Sequence, residues 1–138
     1  MDLPINPTQA LFDGMSAAWQ KERATKQMTL GALIKALEGI TDRGRTIVGL
    51  GRTMSYRGYY SDLAFEPSEK PLTITQALDL AKGCMGLMFT GYKGGDFQMG
   101  EGTPIWSASY GDCGPRIMSL RIDTDPITLE LKEEDHDA

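Results

Sequence analysis

Histidine is all but missing from this chain. Its single imidazole, His136, lies in a terminal acidic stretch, so no serine or cysteine of the body has an imidazole to activate it, and hydrolase triads are excluded. Cysteine is scarce as well, with Cys84 and Cys113 the only two. In an intracellular chain such thiols stay reduced and fill small core positions, so no disulfide is expected. Cys84, between apolar neighbours and with nothing basic placed to ionise it, reads as a buried thiol and not a nucleophile. No apolar run approaches the roughly 20 residues needed to span a bilayer, and the longest, residues 85–89, is broken by glycine. The first residues, MDLPINPTQ, have neither the positive start nor the apolar stretch of a secretory signal. The expectation is a cytoplasmic protein with no membrane partner.

An excess of basic residues is also lacking. The net charge is −5, and removing the four acids of residues 133–138 leaves 15 acids against 14 bases. The acidity is therefore a tail, read here as disordered because it has no large apolar residue to bury. A nearly neutral body without a lysine and arginine stripe argues against duplex nucleic acid, while single bound anions remain open. The tail could hold a cation weakly, but an unstructured ligand set must first be ordered, so neither a metal nor a cofactor is expected.

What is present in quantity is glycine, sixteen residues, gathered mainly between Gly83 and Gly114. The chain is of one-domain size. Residues 8–22 carry Leu11, Met15, Ala18 and Trp19 at helical intervals and read as a helix within an N-terminal extension, residues 1–27. In the body, residues 28–132, Thr29 caps a helix whose apolar face is Leu30, Leu33, Ile34 and Leu37, with Gly39 expected as its left-handed stop. Residues 46–50 and 59–65 read as extended. Thr73 and Gln76 form a capping box that opens another helix, which gives way to a loop over the glycines at 91, 94 and 95. Residues 105–110, 117–122 and 127–131 alternate as half-buried strands. The fold class expected is α+β, a mainly antiparallel sheet with two or three helices packed on it.

Two glycine-rich strings fail as nucleotide fingerprints. Gly49 and Gly51 lack the third glycine and the following helix, and Lys93 lacks the spacing and the hydroxyl residue of a phosphate loop. Two other strings carry binding chemistry: residues 55–60, SYRGYY, and residues 89–97, FTGYKGGDF. Both mix aromatics that stack on a base, a cation that holds phosphate, and glycine amides that approach an anion closely. Read as a strand, the first string puts Tyr56, Gly58 and Tyr60 on one face and Arg57 and Tyr59 on the other. Tyrosines in strands also fill cores, so Tyr59 and Tyr60 have that alternative.

Residues 28–40 (MTLGALIKALEGI), 55–67 (SYRGYYSDLAFEP), 73–83 (TITQALDLAKG) and 89–97 (FTGYKGGDF) resemble small bacteriophage proteins of the Thoeris anti-defence sponge family. The likeness spans roughly residues 28–110, leaving out the N-terminal extension and the acidic tail. It implies binding, without cleavage, of a cyclic nucleotide immune signal, a cyclic ADP-ribose isomer or a cyclic oligonucleotide, in the host bacterial cytoplasm. It also implies a homo-oligomer. The residues it places near such a ligand are Arg57, Tyr59, Tyr60, Phe89, Tyr92, Lys93, Gly94 and Asp96, with Arg57 and Lys93 on phosphates, aromatics on the base and Asp96 on ribose hydroxyls. The expectation is thus no enzyme. The alternatives are a phosphoester or glycosidic hydrolase using carboxylates such as Asp62, Asp96 or Glu101, and an interaction module that inhibits a host protein through Met15 and Trp19.

Overall fold

The computed structural model describes residues 27–57, 59–90 and 95–133. The helix expected at residues 8–22, the tail beyond Glu133, and Gly58, Tyr92, Lys93 and Gly94 lie outside the described residues.

Helix α1, Leu30–Glu38, begins where the sequence places it, with the Thr29 hydroxyl accepting the Ala32 N–H at 3.2 Å. Leu30, Leu33 and Leu37 are buried on one face, as the 3.6-residue period requires. Gly39 does end the helix, but not in a left-handed conformation. Its φ of −75° is right-handed, and its N–H closes the last turn on Lys35. Helix α2, Ile74–Cys84, opens on a complete capping box: the Gln76 N–H donates to the Thr73 hydroxyl, and the Thr73 N–H donates to the Gln76 side chain.

The strands are β1 (Thr46–Ile47), β2 (Thr53–Ser55), β3 (Leu63–Phe65), β4 (Leu72–Thr73), β5 (Met88–Thr90), β6 (Asp96–Gln98), β7 (Ile105–Ser107), β8 (Arg116–Arg121) and β9 (Thr128–Lys132). Five of them form one sheet in the order β2-β3-β7-β8-β9, in which β3 and β7 run parallel and the other pairs antiparallel. β1 pairs with β4, and β5 pairs with β6 as a hairpin. The fold is α+β.

One face of the large sheet carries the main core. Leu63, Phe65, Ile105 and Ile117 pack there with Leu30, Leu33 and Leu37 of α1 and Ile74, Ala77, Leu78 and Ala81 of α2. The opposite face carries a second, smaller cluster of Met54, Tyr56, Ala64, Trp106 and Ala108, with Tyr59 packed against it. Because β3 and β7 are central, all their residues are buried. The half-buried alternation expected for residues 105–110 therefore does not hold.

Two further expectations are corrected. Residues 59–65 are not one extended segment, since only Leu63–Phe65 is strand, and the chain turns back between Tyr56 and Asp62 through the bonds Tyr56 N–H to Asp62 O and Asp62 N–H to Tyr59 O. The strand alternation assigned to residues 55–60 falls with it. Phe89 stands opposite Phe97 in the β5–β6 hairpin, and of the loop expected over Gly91, Gly94 and Gly95, Gly91 and Gly94 lie outside the described residues.

Candidate functional site

β2 is the edge strand of the large sheet, and β5 approaches it. Between them lies a cleft of about 720 Å³. Its floor is Thr53, Met54 and Ser55 of β2. Arg57 and Tyr60 enter from the turn after β2, Phe89 and Thr90 from β5, Arg52 from the approach to β2, and Tyr110 and Gly111 from the loop beyond β7. The described lining thus contains two guanidinium groups, three aromatic rings and no acid, a combination suited to a planar ring joined to anionic groups.

The turn that presents Arg57 and Tyr60 is held from beneath. Tyr56 lies face to face with Trp106, ring centroids 4.1 Å apart and planes within 6°. The Tyr56 hydroxyl donates to the Gly114 carbonyl at 3.0 Å and accepts the Gly114 N–H at 3.1 Å. Gly114 has to be glycine, because a Cβ there would overlap the Ser107 carbonyl. At the other end of the turn the Trp106 indole N–H donates to the Asp62 carboxyl group at 2.8 Å, and both residues are fully buried. Across the middle, the Ser55 hydroxyl donates to the Tyr60 carbonyl at 2.6 Å. A loop fixed this way loses little conformational freedom on binding, which favours affinity.

Arg52 is placed by the main chain. The Glu66 N–H donates to the Arg52 carbonyl and the Gly51 N–H donates to the Glu66 carbonyl, both at 2.8 Å. Gly51 permits this approach, since a Cβ there would stand 2.5 Å from the Glu66 carbonyl oxygen. The Arg52 guanidinium sits over the Tyr110 ring, 5.8 Å from its centroid, and 3.9 Å from the Glu66 carboxylate.

Of the eight residues named from sequence, Arg57, Tyr60 and Phe89 come together in the cleft. Arg57 is exposed and makes no ion pair among the described residues. Glu66 is beside Arg52. Asp96 is exposed at the hairpin, where it accepts the hydroxyl of the cleft residue Thr90 at 3.0 Å. Tyr59 does not line the cleft. It packs against Tyr56 and Trp106, with its centroid 5.8 Å from the indole, in the core role that tyrosines at strand ends commonly take.

Arg52 and Tyr110 were not among the residues named from sequence. A signal for Tyr110 existed, since Tyr110-Gly111 repeats the aromatic-beside-glycine pattern of the two strings that were singled out. Arg52 had none, being paired with Tyr110 across 58 positions only by the fold.

Of the carboxylates considered for hydrolysis, Asp62 is buried against Trp106 and thus removed from any surface site. Among the described residues no three histidine, cysteine or acidic side chains gather as a metal site, and no helix is long and apolar enough to cross a membrane. Cys84 and Cys113 are both free thiols, the first buried and the second exposed. Burial pushes the Cys84 thiol above its ordinary value, against a smaller opposing effect of the Thr53 side chain. Comparisons with family models, with curated proteins and with solved structures gave no significant match to this chain.

Proposed function

We propose that the protein is a binding protein that sequesters a phosphate-bearing cyclic nucleotide, a cyclic ADP-ribose isomer or a cyclic oligonucleotide, and releases it unchanged. The observation that carries this reading is the convergence of Arg57, Tyr60 and Phe89, from two segments about 30 residues apart, on one cleft that also holds Arg52 and Tyr110. Arginine forks match phosphate oxygens and aromatic faces match bases, so both halves of a nucleotide find a partner within one cavity. The volume is in the range of small-molecule sites. Among the described residues the cleft is lined by no histidine and no cysteine, and burial pushes the Cys84 thiol above its ordinary value. The residue likeness to phage anti-defence sponges adds the biological setting: a bacterial cytoplasm, in which titrating an immune signal protects the phage.

The same reading includes a homo-oligomer. Met85, Leu87 and Met88 are exposed together at the end of α2 and the start of β5, and clustered exposed apolar side chains mark contact surfaces. Sedimentation at micromolar concentration gives at least a dimer on this account, and a 15.1 kDa monomer counts against it.

The test of sequestration is to incubate the protein with cyclic ADP-ribose or a cyclic oligonucleotide, remove unbound ligand, denature, and analyse what is released. Intact ligand supports the sponge reading. Linear or cleaved products replace it with a hydrolase.

A further inference from the structure

Arg52 sits between two partners of different kinds, and this arrangement bears on which ligands the cleft prefers. On one side is the Glu66 carboxylate at 3.9 Å; on the other is the Tyr110 ring, its centroid 5.8 Å from the guanidinium carbon. Arg52 and Tyr110 line the cleft, whereas Glu66 is not part of its lining. Resting on the nucleotide-binding reading above, we infer that Tyr110 and Arg52 form the ring-holding jaw of the cleft, and that Glu66 sets its charge preference by competing with the ligand's phosphate for Arg52.

Tyr110 is 75 % exposed although it is a large aromatic residue. It precedes Gly111, whose φ of +81° turns the chain back toward β8. An aromatic face held at a cleft mouth under a guanidinium is the arrangement that accepts a further flat ring, by stacking and by cation–π attraction. The Arg52–Glu66 pair is long, and its side chains are 67 % and 40 % exposed, so solvent screens most of its attraction. A phosphate offers two oxygens to the guanidinium fork at shorter range and wins that contest. Glu66 cannot withdraw with its backbone, because its N–H bonds to the Arg52 carbonyl and its carbonyl accepts the Gly51 N–H. Once Arg52 turns to the ligand, the carboxylate stays close to the anion. Glu66 thereby lowers the affinity that Arg52 gives an anionic ligand and leaves a neutral one unaffected.

The test uses full-length protein and two probes, ADP-ribose and neutral adenosine, in calorimetric titrations, with a thermal melt on every variant to confirm folding. Glu66→Gln tightens ADP-ribose binding about two- to fivefold and leaves adenosine unchanged, the size expected for relieving one exposed charge contact. Arg52→Ala abolishes that gain when combined with Glu66→Gln, as a coupled pair requires. Tyr110→Ala weakens both probes about five- to hundredfold, the span of one base–aromatic stack, whereas Tyr110→Phe does not. Unchanged ADP-ribose affinity in Glu66→Gln and Tyr110→Ala, with Arg57→Ala still impaired, overturns the jaw and leaves the binding reading standing. Wild-type protein that binds neither probe overturns the jaw, and failure to bind cyclic ADP-ribose and a cyclic oligonucleotide as well overturns the binding reading.

Discussion

The Trp106 indole N–H and the Asp62 carboxyl group meet at 2.8 Å in the sheet's second core, 44 residues apart in the chain and both closed to solvent. This bond fixes one end of the turn that carries Arg57 and Tyr60, so the cleft inherits its shape from a buried contact. Trp106→Phe keeps an aromatic ring on Tyr56 but removes the donor. Removing this bond between two buried groups costs about 1–3 kcal/mol, with a further loss from the smaller ring. Chemical denaturation should show a midpoint lowered accordingly. Ligand affinity measured on the folded fraction should fall as well, because the turn is less firmly held.

Tyr56→Phe separates hydrogen bonding from stacking. The ring on Trp106 is retained, while both bonds between the hydroxyl and Gly114 are lost. The expected destabilisation is about 1 kcal/mol, read from the same denaturation curves. A loss well above about 3 kcal/mol in that variant would mean that the Gly114 loop depends on this hydroxyl more than two such bonds allow.

The two thiols should react at very different rates. Cys113 is exposed and Cys84 buried, so a chromogenic disulfide reagent at pH 8 should titrate one thiol per chain quickly and the second only on unfolding. The raised Cys84 value also has a sign in stability. The folded state keeps the proton that the unfolded thiol gives up, so the contribution is complete below the unfolded value, about 8.5, and declines as pH rises beyond it. Cys84→Ala should flatten that alkaline part of the profile, with denaturation midpoints at pH 8 and pH 10 as the comparison.

How much of this was legible in the sequence depended on whether the determining contacts were local. The capping box of Thr73 and Gln76 and the apolar face of α1 are set within four residues, and both form as the pattern requires. The turn between Tyr56 and Asp62 is set by Trp106 and Gly114, some 40 to 60 positions away, so local alternation suggested a strand that tertiary bonding replaces. The hairpin of β5 and β6 has strands of three residues each, too short for a period to register between glycines. Of the site, the Arg57 and Phe89 strings were visible as composition. That they face one cleft with Arg52 and Tyr110 follows only from β5 lying against the edge strand β2.

The most direct test of the binding account is a calorimetric titration of cyclic ADP-ribose into the wild-type protein and into Arg57→Ala, with thermal melts alongside. Charge-assisted bonds to phosphate contribute about 1.5–3 kcal/mol, so the substitution should weaken binding roughly ten- to a hundredfold. The melting temperature should be nearly unchanged, because Arg57 is exposed and makes no ion pair among the described residues. An unchanged dissociation constant together with a lowered melting temperature would contradict the account, and would make Arg57 a structural residue of the turn.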